Sequence, residues 1–329
     1  MLRALADGEW HKPSWIAQRA GITRPTANKY LAKLLDEKKI QKQGSGPHVQ
    51  YHIADMQYIP ENTPPALIQE HDFDYQQSSV LDDYFLKYDA DGNELQGVQG
   101  FLMRCQQRNM DPYQKFPDYL AIQQTLTSLY NHCGVLDALD EFAKHVDELA
   151  LDGLYYADQY RWNEFGRSKL AEMAFFAKQL QYVYLMQDAL GMILRKLECV
   201  IKTEKVDAIA LTPPSITRQH QLLDVLDEMM NFTTLPRIRL VKDYPTAIKT
   251  PQKSLRKRAD RVRNAKNSIH VYDDRVSQYR HVLLIDDFVG SGATLNETAK
   301  KLKAQGVEKV TGFAIVGNLD LSYDVIQEI

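Results

Sequence analysis

A chain of 329 residues exceeds what one hydrophobic core of ordinary size fills, so two domains are expected. With 44% apolar and 25% charged residues and a mean hydropathy of −0.42, its composition excludes a disordered, collagenous or membrane-embedded protein. The net charge of −3 conceals two basic islands, nine Lys/Arg against five Asp/Glu over residues 1–55 and eleven against two over 236–266, in an acidic remainder. That asymmetry implies two separate anionic partners.

Residues 1–55 read as short helices followed by a hairpin. Lys12-Pro13-Ser14 opens a helix that carries Trp15, Ile16 and Ala20 and stops at Gly21-Ile22-Thr23. A second helix from about Arg24 to Glu37 places Ala27, Tyr30 or Leu31, and Leu34 on one face. Ile40–Gln43 and Val49–Ile53 alternate with period two around Gly44-Ser45-Gly46-Pro47, a strand pair with a flexible tip. This order resembles the winged helix-turn-helix family of bacterial DNA-binding domains. The resemblance implies double-stranded DNA or another nucleic acid as partner, with Arg24, Thr26, Asn28, Lys29 and Lys33 on the groove-facing helix and Lys42 and His48 on the wing. The alternative is that helix and wing mediate protein contacts only.

The Pro-, Gln- and Asn-rich stretch 56–76 reads as a linker. Tyr88 to Glu94 lacks the glycine and glutamate positions of a calcium loop and reads as a hairpin turn. Residues 118–151 and 168–201 show helical apolar spacing, and Phe175, Phe176, Tyr182 and Tyr184 are expected to pack in the core. Cys105, Cys133 and Cys199 are odd in number and scattered, so neither a disulfide frame nor a zinc site is expected. No apolar run approaches the about 20 residues of a membrane span. The opening Met-Leu-Arg-Ala-Leu-Ala-Asp does not fit a secretory signal, so a cytoplasmic location is expected.

The most informative segment runs from Val282 to Leu295. Val282-Leu283-Leu284-Ile285 reads as a buried parallel strand with Asp286 and Asp287 at its carboxyl end. Gly290, Ser291, Gly292 and Ala293 then form a small-residue turn that leads into a helix, so backbone amides and the Ser291 and Thr294 hydroxyls can converge on a phosphate. Acids beside such a cradle suit a sugar phosphate whose hydroxyls are held by carboxylates. The segment closely resembles the 5-phosphoribosyl-1-pyrophosphate (PRPP) signature of the type I phosphoribosyltransferases. The resemblance implies an α/β fold, a parallel sheet with flanking helices. It further implies Asp286 and Asp287 on the ribose hydroxyls, directly or through Mg²⁺, and Gly290, Ser291, Gly292, Ala293 and Thr294 on the 5′-phosphate.

Asp207 to Thr212 reads as another apolar strand, and Thr212, Ser215 and Arg218 would serve a pyrophosphate loop. The Thr, Gln, Leu, Arg and Asn order of residues 250–264 resembles the mobile loop of the ComF branch of this superfamily. That likeness implies Gln252 at the ligand and Arg256, Arg258, Arg261 and Arg263 around a leaving pyrophosphate. The same charges could form a solvated helix face or a nucleic-acid patch. The organisation expected is therefore a winged helix-turn-helix domain (1–56), a linker and mainly helical segment (57–150) and a phosphoribosyltransferase domain (151–329). Two functions are compatible with it. One is a Mg²⁺-dependent transferase of unknown acceptor, a stress or phage-defence effector; the other is a PRPP-sensing transcription regulator without turnover. Either could work as a homo-oligomer or with a partner protein.

Overall fold

The structure, a computed structural model, describes residues 5, 9–19, 24–36, 38–44, 46–54, 73–89, 92–243 and 258–319, without the side chains of 18, 25, 26, 47 and 258. The expected turn at 21–23, most of the linker and residues 250–257 lie outside the described residues. The chain divides into two compact units, residues 1–72 with 90–92, and residues 73–89 with 93–329.

The first unit contains helices α1 (Pro13–Arg19) and α2 (Arg24–Asp36) and an antiparallel pair, β1 (Ile40–Gln43) and β2 (Gln50–Ile53), in which Ile40 faces Ile53. His11 adds a further bridge to Tyr51, through backbone bonds of 2.9 Å in both directions. Its core is Leu5, Ile16, Leu31, Ile40, Tyr51 and Ile53. Of the two candidates on α2, Leu31 is buried and Tyr30 is 50% exposed.

The second unit opens with α3 (Tyr75–Tyr84), where Asp74 caps the helix: its carboxylate accepts the Gln77 amide at 2.8 Å while Gln77 accepts the Asp74 amide at 3.0 Å. The hairpin read from Tyr88 to Glu94 is present as β3 (Leu86–Tyr88) paired with β4 (Glu94–Gln96). Then follow α4 (Gly97–Arg108), α5 (Pro112–Leu129), β5 (Leu136–Asp137), α6 (Leu139–Ala143), β6 (Gly153–Gln159), β7 (Arg161–Trp162) and β8 (Gly166–Arg167). The span 118–151 read as helical is thus helix to Leu129 and again in the short α6, with β5 between them. The span 168–201 breaks into α7 (Lys169–Leu180), α8 (Val183–Gly191) and α9 (Leu194–Glu204). The remaining elements are β9 (Ala208–Leu211), α10 (Leu222–Met229), β10 (Arg237–Ile238), β11 (Leu240–Lys242), α11 (Arg258–Ser268), β12 (Ile269–Val271), β13 (His281–Val289), α12 (Ala293–Ala304) and β14 (Lys309–Gly317).

Six strands form one sheet in the order β10-β9-β13-β14-β6-β5, parallel except for the short β5. On one face Ile209, Leu283, Ile285, Phe313 and Ile315 pack with α7, α8, α9 and α10. On the other, Leu295 of α12 comes so close to Gly312 that a Cβ there would sit 3.4 Å from its Cδ1 and 2.9 Å from that of Leu154. Leu295 and Leu302 are fully buried, each burial contributing about 1.5–3 kcal/mol. The segment from Phe73 onward belongs to this body. Lys87 of β3 donates to the buried Glu172 of α7 at 2.5 Å, and Arg167 donates to the other carboxylate oxygen at 3.0 Å.

Two sequence expectations are overturned here. Tyr182 and Tyr184 are 49% and 58% exposed and stack on each other at the turn into α8, so they are not core residues. Cys133 and Cys199, 66 positions apart, are joined in a disulfide. Their spacing carried no sign of this, because the turn after α5 and the middle of α9 are brought together only by packing on the sheet. Among the described residues, no helix is long and apolar enough to cross a membrane.

Candidate functional site

β9 and β13 are neighbours, but the chain leaves β9 through α10 toward β10 at one edge and leaves β13 through α12 toward β14 on the other side. The loops at their carboxyl ends therefore part and open a crevice, the place where open α/β sheets bind ligands. A cleft of about 180 Å³ lies there, lined by the loop after β9, the end of β13 and the first turn of α12.

Asp286 and Asp287 lie within β13, which continues past them to Val289. The Thr212 hydroxyl donates to Asp286 Oδ1 at 2.7 Å, and the Asp287 amide donates to the same oxygen at 2.9 Å. Lys178, near the end of α7, reaches across to Asp287 Oδ2 at 2.5 Å. Burial, and then the adjacent charge of Asp287, push the Asp286 carboxyl well above the ordinary carboxylate range, against the opposing pull of Thr212, the Asp287 amide and Lys178. A half-buried acid pair of this kind favours a cation, a hydroxyl donor or a proton.

Facing the acids is an anion-binding geometry. Gly292 adopts the left-handed φ of 69° and caps α12, so the turn delivers the first-turn amides of that helix to the cleft beside Gly290, Ser291, Ala293 and Thr294. A Cβ on Gly292 would fall 2.1 Å from Cε2 of the buried Phe142 on α6, so the position admits no side chain. Asn296 pins the helix by accepting the Ala150 amide and donating to the Glu148 carbonyl, both at 2.9 Å.

Two further cations line the wall, and a third backs it through Ser215. Arg218, from the loop after β9, lines the cleft, as does Arg261 of α11, which is only 3% exposed. Lys242 at the end of β11 donates to the Ser215 hydroxyl at 2.7 Å, and burial lowers its pKa while the charge of Asp286 acts to raise it. The residues named from sequence as Thr212, Ser215, Arg218, Arg261 and Asp286 to Thr294 are thus brought together. Arg263 is not: its side chain is 74% exposed and pairs with Asp260 at 2.7 Å, because it falls on the outer face of α11. Gln252, Arg256 and the side chain of Arg258 lie outside the described residues. Lys178 and Lys242 were missed. Lys178 sits in a helix whose apolar spacing signals only packing, whereas Lys242 belongs to the basic island and had that charge as a signal.

In the first unit, Arg24, Asn28, Lys29 and Lys33 are exposed on α2, with Ala27 and Leu31 turned to the core; Lys42 and His48 are exposed on the hairpin. Nothing is described of the Thr26 side chain. No protein-family model matches this chain, and no curated protein matches it.

Proposed function

We propose that the sheet unit is a phosphoribosyltransferase of the PRPP-using kind, dependent on Mg²⁺, with its site in the cleft between β9 and β13. One observation carries the reading. The acid pair Asp286 and Asp287 shares a single cleft with the first turn of α12 and with Arg218 and Arg261, the complement of a sugar bearing a phosphate at one end and a pyrophosphate at the other. The donor set suits Mg²⁺, since two adjacent carboxylates, one of them destabilised as an anion by the other, gain from a hard divalent cation. Asp286 and Asp287 would hold it, and it would neutralise charge on the pyrophosphate.

The chain's own groups do the rest. The α12 amides and Thr294 fix the 5′-phosphate, and the carboxylates orient the ribose. As the C1–oxygen bond breaks, Arg218, Arg261 and Lys242 stabilise the negative charge gathering on the departing pyrophosphate. The test is pyrophosphate release from PRPP and Mg²⁺, with candidate bases and nucleic acid as acceptors. Release by the parent protein and none by the Asp286→Asn, Asp287→Asn double variant is expected. Unchanged PRPP affinity in that variant would refute the site.

A second reading is favoured by the exposed cations on α2: a winged-helix DNA reader controlled by PRPP bound without turnover. Tight Mg²⁺-dependent PRPP binding with no release under any condition selects it. In either case Arg24→Ala with Lys29→Ala is expected to weaken duplex binding and flatten its salt dependence by roughly two phosphate contacts. A duplex affinity insensitive to both changes removes nucleic acid from the list of partners. A role in stress or phage defence, in the cytoplasm, remains part of the proposal through the pairing of these two units in one chain.

A further inference from the structure

Outside the cleft, four potential donor atoms converge between the turn after α5 and the middle of α9. Sγ of Cys133, Sγ of Cys199 and a ring nitrogen of His132 all lie within 4.8 Å of one another. Thr203 Oγ1 stands 3.3 Å from His132 Nε2, 3.6 Å from Cys133 Sγ and 3.9 Å from Cys199 Sγ, and His132 Nε2 is 3.5 Å from Cys133 Sγ. A tetrahedral zinc ion with bonds of about 2.0–2.3 Å to nitrogen and sulfur sets its ligand atoms roughly 3.3–3.8 Å apart. Three of these four separations fall in that range and the fourth is just beyond it; the two sulfurs are bonded to each other here, and opening the disulfide frees them to part to adjacent corners.

We propose that the reduced protein binds one zinc-class ion here, with Cys133, Cys199 and His132 as ligands and Thr203 Oγ1 at the fourth corner. The frame is built before any metal arrives. The Asn131 side chain accepts the amides of Cys133 at 2.9 Å and Val135 at 3.3 Å, and Gly134, at φ +70°, donates its amide to the Asn131 carbonyl at 2.8 Å. Cys199 and Thr203, four residues apart, share one face of α9. His132 is exposed, which gives the ion a route in, while Cys133 is buried and shields the site from below. The chemistry balances with a thiol reductant: the disulfide and two reductant thiols give two cysteine thiols and one reductant disulfide. Binding then releases the two cysteine protons as the ion takes up both thiolates and the neutral imidazole. Disulfide and metal are mutually exclusive occupants of one site.

The full-length protein, reduced with a phosphine and then freed of it, is titrated with Co²⁺ and then Zn²⁺ under anaerobic conditions. One Co²⁺ is expected at this site, read by thiolate-to-cobalt absorption in the near ultraviolet and tetrahedral visible bands, both bleached by Zn²⁺; a cation held by Asp286 and Asp287 has no sulfur ligand and gives no thiolate band. The oxidised protein should show neither. Cys199→Ser should lose the thiolate band intensity of one ligand, and His132→Ala, at an exposed position that folding tolerates, should weaken binding on the order of tenfold or more. Absence of a thiolate band in the reduced parent protein overturns the proposal. So does an affinity, read from that band, unchanged in His132→Ala.

Discussion

Gly292→Ala is the sharpest perturbation of the cleft that leaves every charge in place. The new methyl carbon would fall 2.1 Å from Cε2 and 2.7 Å from Cζ of Phe142, a ring with no exposed surface to retreat into, on a backbone held at φ 69°. A left-handed conformation costs a non-glycine residue roughly 1–2 kcal/mol, and forcing an extra carbon into a packed core about 1–3 kcal/mol, so the loss is on the order of 2–5 kcal/mol. Gly191→Ala is the internal comparison: its Cβ meets nothing within 4 Å at the end of α8, and the change should be neutral or stabilising by about 0.5–1 kcal/mol. Urea unfolding followed by a probe of the sheet unit reads both. Because relief of the clash must shift the turn that starts α12, where the 5′-phosphate is proposed to sit, PRPP binding should weaken in Gly292→Ala even where the protein remains folded. Unfolding midpoints that coincide for Gly292→Ala and the parent chain would refute the packing described between α6 and the turn.

Burial and the neighbouring Asp287 charge push the Asp286 carboxyl up from its ordinary 3.8 to about 7, so between those values the folded chain holds a proton that the unfolded chain has lost. Stability from this group therefore falls as pH rises through that window, and Asp286→Asn should overtake the parent protein in urea midpoint at pH 8 and not at pH 4. Divalent-cation affinity, which needs the ionised pair, should rise over the same interval. Removing the ammonium that draws the pair toward ionisation, by Lys178→Met, should shift the midpoint of that rise to higher pH, as read by cation titration across a pH series. Arg261→Ala is expected to weaken pyrophosphate binding by at least tenfold, the scale of about 1.4 kcal/mol for a lost charged contact, whereas Arg263→Ala, exposed and paired among the described residues with its helical neighbour Asp260, should stay within twofold. Isothermal titration separates the two, and equal effects would place α11 differently from its position here.

Local chemistry made the strand, acids and small-residue turn of 282–294 legible, since apolar residues, paired carboxylates and glycines each report on a neighbour in sequence. The buried face of α2 was legible for the same reason, apart from the choice between Tyr30 and Leu31, adjacent positions that face apart on a helix. What stayed hidden depends on contacts between distant segments. Lys178 meets Asp287 across 109 positions, Cys133 meets Cys199 across 66, and Phe142 decides what Gly292 can become. No periodicity encodes such meetings. The half-exposed Tyr182 and Tyr184 illustrate the converse: aromatic residues at helical spacing look like core, but the helix breaks at Gln181, in the left-handed region, and the stripe turns outward there.

The placement of β6 has a practical consequence for dissection of the protein. This strand precedes the acid pair and small-residue turn of 286–294 by more than a hundred positions, yet it lies between β14 and β5, and its partner β14 is buried along nearly its whole length. A shortened chain beginning after residue 200 would retain the acids and the turn while exposing the flank of β14 as an unpaired, apolar edge, a template for aggregation. It would also leave Asp287 without the Lys178 ammonium. Expression trials aimed at the sheet unit alone should therefore start near Phe73, and insoluble shorter fragments would report on a missing strand and not on a toxic activity.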